Sequence, residues 1–195
     1  MNAGRPREFD TEQALHAAMR QFWRQGYTAT SLQDLLSAMQ ISKSSFYQTF
    51  DCKHTLFQRC IKHYRSTLEN DMLTHLQQNS SARQFIETTF RAIGDNKQQT
   101  DNQFGCLLMN TASEFAQSDP VIAELVQKGI QKMRAVFLLA VKRAQTEGDI
   151  PSDKNPDALA SYLVSSMGGL RNMAKAGENQ KTLKEITKII LSTLD

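Results

Sequence analysis

The chain has 195 residues and a formal net charge of +3, so charge alone does not call for a polyanionic partner. No run of about 18 apolar residues occurs, which argues against a membrane span, and the opening MNAGRPREFD lacks the apolar core of a signal peptide. Three cysteines, Cys52, Cys60 and Cys106, are an odd number at spacings unlike a disulfide framework, so a reduced, cytoplasmic protein is expected.

Nearly every segment carries apolar residues at helical spacing, and none alternates like a strand. The expected fold is all-α. Residues 1–8 read as a basic arm. Asp10 caps a first helix that presents Leu15, Met19, Phe22 and Trp23 and closes at Gly26. Thr30 and Ser31 then stand as N-cap residues ahead of Leu32, Leu35 and Leu36. The pattern breaks at Met39-Gln40, and Ser42 offers a second cap before Lys43, Ser44, Ser45, Phe46, Tyr47 and Phe50. Two short helices joined by a tight turn are the layout of a helix-turn-helix, whose second helix reads a major groove. Asp51 is expected to cap a long helix over about 52–77. Further helices are expected over about 81–95, from Phe104 to Phe115, from Asp119-Pro120 to about 146, from Asn155-Pro156 to about Ala176, and over about 179–193. The segments 95–103 and 147–151 read as loops. The domain boundary is placed at 52/53, with a DNA-binding domain over 1–52 and a helical bundle over 53–195.

The chemistry of the opening helices can be read directly. A helix N-terminus at Thr30 and Ser31 favours a phosphate through its free N–H groups, though the same residues cap the helix with or without DNA. Ser42, Lys43, Ser44 and Ser45 stand where side chains reach base edges or nearby phosphates; lysine suits guanine acceptors and serine suits either base type. Tyr47 and Lys53 suit register-setting phosphate contacts. Gln48 fits either a base reader or a solvent-facing bystander. Phe46 and Phe50 read as core.

The run Gly26-Tyr27, Thr30-Ser31-Leu32, Asp34-Leu35, Ile41-Ser42-Lys43, Phe46-Tyr47, Phe50, Lys53 and Leu56-Phe57 resembles TetR-family transcriptional regulators over roughly the first 65 residues. Beyond that point the resemblance is one of architecture, apart from Phe104 to Asn110, which is similar to a segment found in one branch of the family. The resemblance implies a homodimeric repressor on a palindromic double-stranded operator. It also implies Arg5 and Arg7 in an adjacent minor groove and a small-molecule effector held in the C-terminal bundle. The family usually has glycine where this chain has Gln40.

The implied effector site draws on Tyr64, Phe90, Phe104, Cys106, Met109, Asn110, Phe137, Met167, Arg171 and Met173, each of which also reads as ordinary core or surface. Asn110 is a polar amide in an apolar helix and needs a partner. Cys106 follows Gly105 at a helix start, where a thiol pKa can fall, so an electrophile or oxidant is an alternative effector. A buried, inert thiol is the competing reading. The last two helices carry Leu159, Tyr162, Leu163, Ser166, Met167, Leu170, Leu183, Ile186, Ile190 and Leu194, with small residues Ser165, Gly168 and Gly169, which suits a four-helix interface between two copies. Cys60 with His63, and Asp71 with His75, could each give two metal ligands, but no third ligand is indicated. No cofactor is expected. No nucleophile–base pair or phosphate loop supports an enzyme. The competing class is a helical carrier or enzyme with a vestigial helix-turn-helix.

Overall fold

A computed structural model describes residues 9–95, 101–115 and 118–195. Those residues form helices and no strand: α1 (Thr11–Gln25), α2 (Leu32–Met39), α3 (Lys43–Phe50), α4 (Lys53–Gln78), α5 (Ala82–Gly94), α6 (Leu107–Phe115), α7 (Pro120–Glu147), α8 (Pro156–Lys175) and α9 (Gln180–Ser192). A 3-10 turn at Asp101–Phe104 precedes α6. The chain divides between Tyr64 and Arg65 into two compact units. That division lies within α4, whereas the sequence patterning suggests 52/53. The first part of α4 belongs to the N-terminal unit because Leu56, Phe57, Cys60, Ile61 and Tyr64 are all buried. Phe57 packs edge-on to Phe22 at 4.8 Å and Tyr64 edge-on to Trp23 at 5.0 Å.

The helix ends follow from local chemistry. Asp10 accepts from the N–H groups of Glu12 and Gln13, and Gly26 ends α1 at φ 81°. Asp119 and Asn155 cap α7 and α8, each followed by proline in the first turn, and Gly148 closes α7 at φ 82°. Two starts differ from the sequence expectation. Asp51 does not cap α4; it has φ 66° and ψ −64° and terminates α3, its N–H donating to the Tyr47 carbonyl at 3.1 Å. Only Asp51 and Cys52 separate the two helices, so Asp51 is taken up by the reversal and Cys52 stands ahead of α4. The Leu56 N–H reaches the Cys52 carbonyl at 3.0 Å, and Cys52 Sγ lies 3.3 Å from Thr55 Oγ1. Likewise α6 begins at Leu107 rather than Phe104. Gly105 at φ 78° breaks the right-handed path, and Cys106 becomes the residue whose carbonyl accepts the first helical bond, from Asn110 N–H at 2.9 Å.

The turn between α2 and α3 places Gln40 in the left-handed region, at φ 54° and ψ 41°. An L side chain there costs about 1–2 kcal/mol, more than the extra unfolded-state entropy that glycine would bring. Gln40→Gly is therefore expected to stabilise the N-terminal unit by roughly 0.5–1 kcal/mol. Urea unfolding followed by emission of Trp23, the chain's single tryptophan, measures this. A loss of stability would show that the Gln40 side chain makes a compensating contact.

The C-terminal unit is built around α7. Phe137 is fully buried, its ring 6.2 Å from Phe85 and 6.1 Å from Phe90. Gly129 lets α6 approach α7 closely, because a Cβ at that position would lie 2.6 Å from Leu108 Cδ1. Lys132 on α7 pairs with Glu69 on α4.

Candidate nucleic-acid interface

The helix-turn-helix is assembled by two caps and a set of buried rings. Ser31 and Asp34 form a reciprocal capping box at the start of α2. The Asp34 carboxylate accepts from Ser31 N–H at 2.8 Å and from Ser31 Oγ at 2.6 Å, while Ser31 Oγ accepts from Asp34 N–H at 3.1 Å. The hydroxyl and N–H of Ser31, with the charge of Lys53 behind them, hold the Asp34 carboxyl below its ordinary pKa. This contribution to stability is complete above the usual carboxylate range and fades as pH falls through the lowered value. The Ser-x-x-Asp spacing that signals this box is present in the sequence.

Ser42 caps α3 by accepting from Ser45 N–H at 3.1 Å, and the two hydroxyls lie 2.9 Å apart. Phe46 and Phe50 are fully buried, which fixes the opposite face of α3 outward. That face carries Lys43, Ser44, Tyr47 and Gln48, all exposed, with Tyr47 48% accessible. The side chains of Lys43, Ser44 and Gln48 make no hydrogen bond or ion pair among the described residues. They stand ready for an external partner. Lys53 is half-buried, its Nζ 4.2 Å above the Tyr27 ring, and Ser45 keeps a hydroxyl close to the same face.

Thr30 does not stand where the sequence places it, at the phosphate-facing end of α2. Its side chain is fully buried, and its hydroxyl donates to the Gly26 carbonyl at 2.6 Å, so it braces the loop into α2 and cannot present a donor to a phosphate. The Ser31 hydroxyl proton is likewise engaged by Asp34. A phosphate at the start of α2 would have to meet backbone N–H groups. Arg5 and Arg7 lie outside the described residues.

Among the described residues, those expected around an effector fall in several places. Tyr64 belongs to the N-terminal unit, where it packs on Trp23. Phe90, Phe137 and Met167 are buried as core. The Asn110 amide donates to the Phe104 carbonyl at 2.8 Å and so closes the turn before α6, which supplies the partner a polar group there needs. Phe104 is half-buried and Met173 exposed. Met109 lines a cavity with residues of α7 and α8, whereas Arg171 lines a different one with residues of α4 and α5.

The three thiols differ sharply. Cys60 is fully buried, and burial drives its thiol pKa far upward. Cys106 stands at the helix start the sequence marks but is only 1% accessible. Cys52 is half-exposed, and its thiol is held below the ordinary value by hydrogen bonds from the Thr55 side chain and backbone. Iodoacetamide at pH 8 is therefore expected to alkylate Cys52 at least tenfold faster than Cys106, with Cys60 modified only on unfolding. Peptide mapping of the modified chain reads this. Faster labelling of Cys106 in the folded chain would reverse the ranking.

An intact helix-turn-helix, capped at both helices and offering unpartnered polar side chains on its second helix, defines a DNA-binding regulator with an appended helical unit. Residues 14–60 match the family described as bacterial regulatory proteins, tetR family, and residues 82–190 match the tetracyclin repressor-like C-terminal domain. An uncharacterized HTH-type transcriptional regulator, YezE of Bacillus subtilis (strain 168), is 31% identical over 193 residues, spanning 98% of this chain and 100% of that one. The HTH-type transcriptional repressor ComR of Escherichia coli (strain K12) is 27% identical over 94% of this chain and 88% of its own. Among solved structures, a cysteine mutant of the TetR family regulator CifR complexed with 26-bp double-strand operator DNA superposes with a TM-score of 0.82. It is 26% identical, and the match covers 98% of this chain and 100% of that one.

The chain belongs to the TetR family and is a DNA-binding transcriptional regulator. The family is one of regulators rather than of enzymes, and no described helix is long and apolar enough to cross a membrane.

Proposed function

We propose that the chain is a homodimeric repressor that grips a palindromic operator through α3 of each copy and lets go when a small molecule occupies the C-terminal unit. The outward face of α3 carries this reading. Lys43, Ser44, Tyr47 and Gln48 are exposed on a helix anchored by the buried rings of Phe46 and Phe50. We assign base reading to Lys43 and Ser44, with Gln48 beside them, and phosphate contacts to Tyr47, Lys53 and the Ser42–Ser45 pair. Arg5 and Arg7 are assigned to the flanking minor groove. A two-fold dimer sets its reading helices about 34–36 Å apart, one turn of duplex. Repression is the sign stated in the names of ComR and of DhaR from Mycobacterium sp. (strain GP1).

Support for the dimer comes from apolar side chains left uncovered. Leu163, Met167, Leu170, Leu183, Ile190 and Leu194 fit the helical stripe of the sequence but are buried inside the single chain. What remains outside is Tyr162 and Met173 on α8 and Ile189 on α9, the last 66% accessible. Gly169 lies on the same face of α8, and a Cβ placed there would meet nothing within 4 Å, whereas Gly168 packs on Met109. An open glycine between exposed apolar groups permits close approach of a second helix.

Selection of a binding duplex from a random pool, followed by footprinting, tests the whole reading. The expected product is a palindrome bound by a species of twice the 22.0 kDa chain mass. Binding by a monomer, or binding indifferent to sequence, would overturn it. Ile189→Asp is expected to dissociate the dimer by at least tenfold in concentration, read by light scattering. Release of the operator by about 100-fold requires roughly 2.7 kcal/mol of coupling from the effector.

A further inference from the structure

A cavity of about 590 Å³ lies among α4, α5 and α8 of the C-terminal unit. This size suits an organic molecule rather than a lone ion. Its walls are mostly apolar, with Leu68 and Met72 from α4 and Phe85 and Ile93 from α5. One cation lines it, Arg171 from α8.

Arg171, like Arg65 at the start of the C-terminal unit, differs from the ion-paired arginines of that unit. Arg83 pairs with Glu87 and Asp195, Arg91 with Glu87, Arg134 with Asp157, and Arg143 with Glu147. The Arg171 guanidinium holds no carboxylate and no carbonyl among the described residues, and its Nε is shut off from solvent without an acceptor. A buried donor left without an acceptor is penalised, and a charged one more so. The terminal N–H groups of the same guanidinium have no protein acceptor among the described residues either, and they are the donors left for a ligand in the cavity.

The neighbouring polar groups do not take its place. The Thr88 hydroxyl lies 2.9 Å from the Gln84 carbonyl and the Thr89 hydroxyl 2.8 Å from the Phe85 carbonyl, so each donates within its own helix. Asp71 and His75 are exposed residues of the α4 lining, and Asp71 would repel a second negative charge.

We propose that this cavity binds an organic monoanion, a carboxylate with an apolar body, whose head group pairs with Arg171 and whose body lies on Leu68, Met72, Phe85 and Ile93. The inference rests on the reading of the chain as an effector-controlled repressor and names the class of that effector. A guanidinium and a carboxylate pair through two parallel N–H···O bonds, which gives direction as well as attraction.

The test titrates the full chain by calorimetry with octanoate, decanoate and phenylacetate, and with octanol, decanol and phenylethanol as uncharged counterparts. At least one carboxylate is expected to bind at least tenfold tighter than its alcohol. Arg171→Gln should weaken that carboxylate at least tenfold, Arg171→Lys by less, and neither should change the alcohols. Ala92→Trp, at an exposed position of the lining, should block every ligand while Arg171 stays in place. Carboxylates and alcohols binding equally, unchanged affinity in Arg171→Gln, or no binding by any of the three acids would overturn the proposal. Operator affinity is measured separately, by anisotropy on the selected duplex. Carboxylate binding that depends on Arg171 but leaves operator affinity unchanged would keep the site and overturn the repressor-release reading instead.

Discussion

Replacing Lys43 and Tyr47 together by alanine is expected to remove specific operator binding without unfolding the chain. Both side chains point away from the core, Tyr47 is 48% accessible, and Lys43 has no internal partner to lose. A base-edge contact is worth about 1–3 kcal/mol per site. A two-fold complex loses each contact twice, so Lys43→Ala alone should weaken binding by roughly 2–6 kcal/mol and relax selection at one symmetric pair of positions. Tyr47→Ala is expected to behave differently. Loss of a phosphate contact weakens all sequences alike, because the phosphate carries no sequence information. Anisotropy titrations on the selected duplex and on a scrambled one separate the two effects, with circular dichroism as the check on folding. If Lys43→Ala weakens both duplexes equally and lowers the slope of log affinity against log salt by about 2, one per copy, then Lys43 is a phosphate contact and base reading passes to Ser44 and Gln48.

The same residues show how far the sequence could be read. Helix identity was legible throughout, because 3.6-residue periodicity and cap chemistry are local properties of the chain. The outward face of α3 was legible for the same reason, since Phe46 and Phe50 at i and i+4 fix which side turns inward. Direction at helix starts was less legible. Thr30 and Ser31 are equal as cap candidates in sequence, each with a polar side chain three residues on, Gln33 or Asp34, that could close a capping box. Only the loop from Gly26 decides that Thr30 turns in and Ser31 caps. Asp51 is the better cap by composition than Cys52, yet the reversal after α3 leaves the cap position to the cysteine. The interface stripe on α8 and α9 was legible as apolar but not as internal or external. Leu163 and Tyr162 are neighbours in the chain, and only the packing of the bundle assigns the first to the core. Arg171 was legible as a cation near the bundle, but its lack of a partner is a property of every residue around it and has no signature in sequence.

Phe137→Ala is expected to cost the C-terminal unit about 3–5 kcal/mol, the usual loss for removing a fully buried ring. Phe85 and Phe90 lie beside it at 6.2 and 6.1 Å and belong to the same helix, α5, so the void would sit between α5 and α7 where neither can collapse freely. Phe137→Leu keeps most of the volume and should cost less than about 1.5 kcal/mol. Urea unfolding followed by helical circular dichroism measures both. The sequence also allows Phe137 a place on the wall of an effector site, and the two roles part company in this experiment. A wall residue tolerates truncation with a changed ligand affinity and little change in stability. A core ring gives the large stability loss, with operator affinity of the still-folded variant near that of the parent at low temperature. Because the ring has no accessible surface, a loss below about 1 kcal/mol would mean that the α5–α7 contact re-forms around the void. The cavity beside Arg171 would then be the next place to look for the relaxation, since Phe85 is both its wall and the neighbour of Phe137.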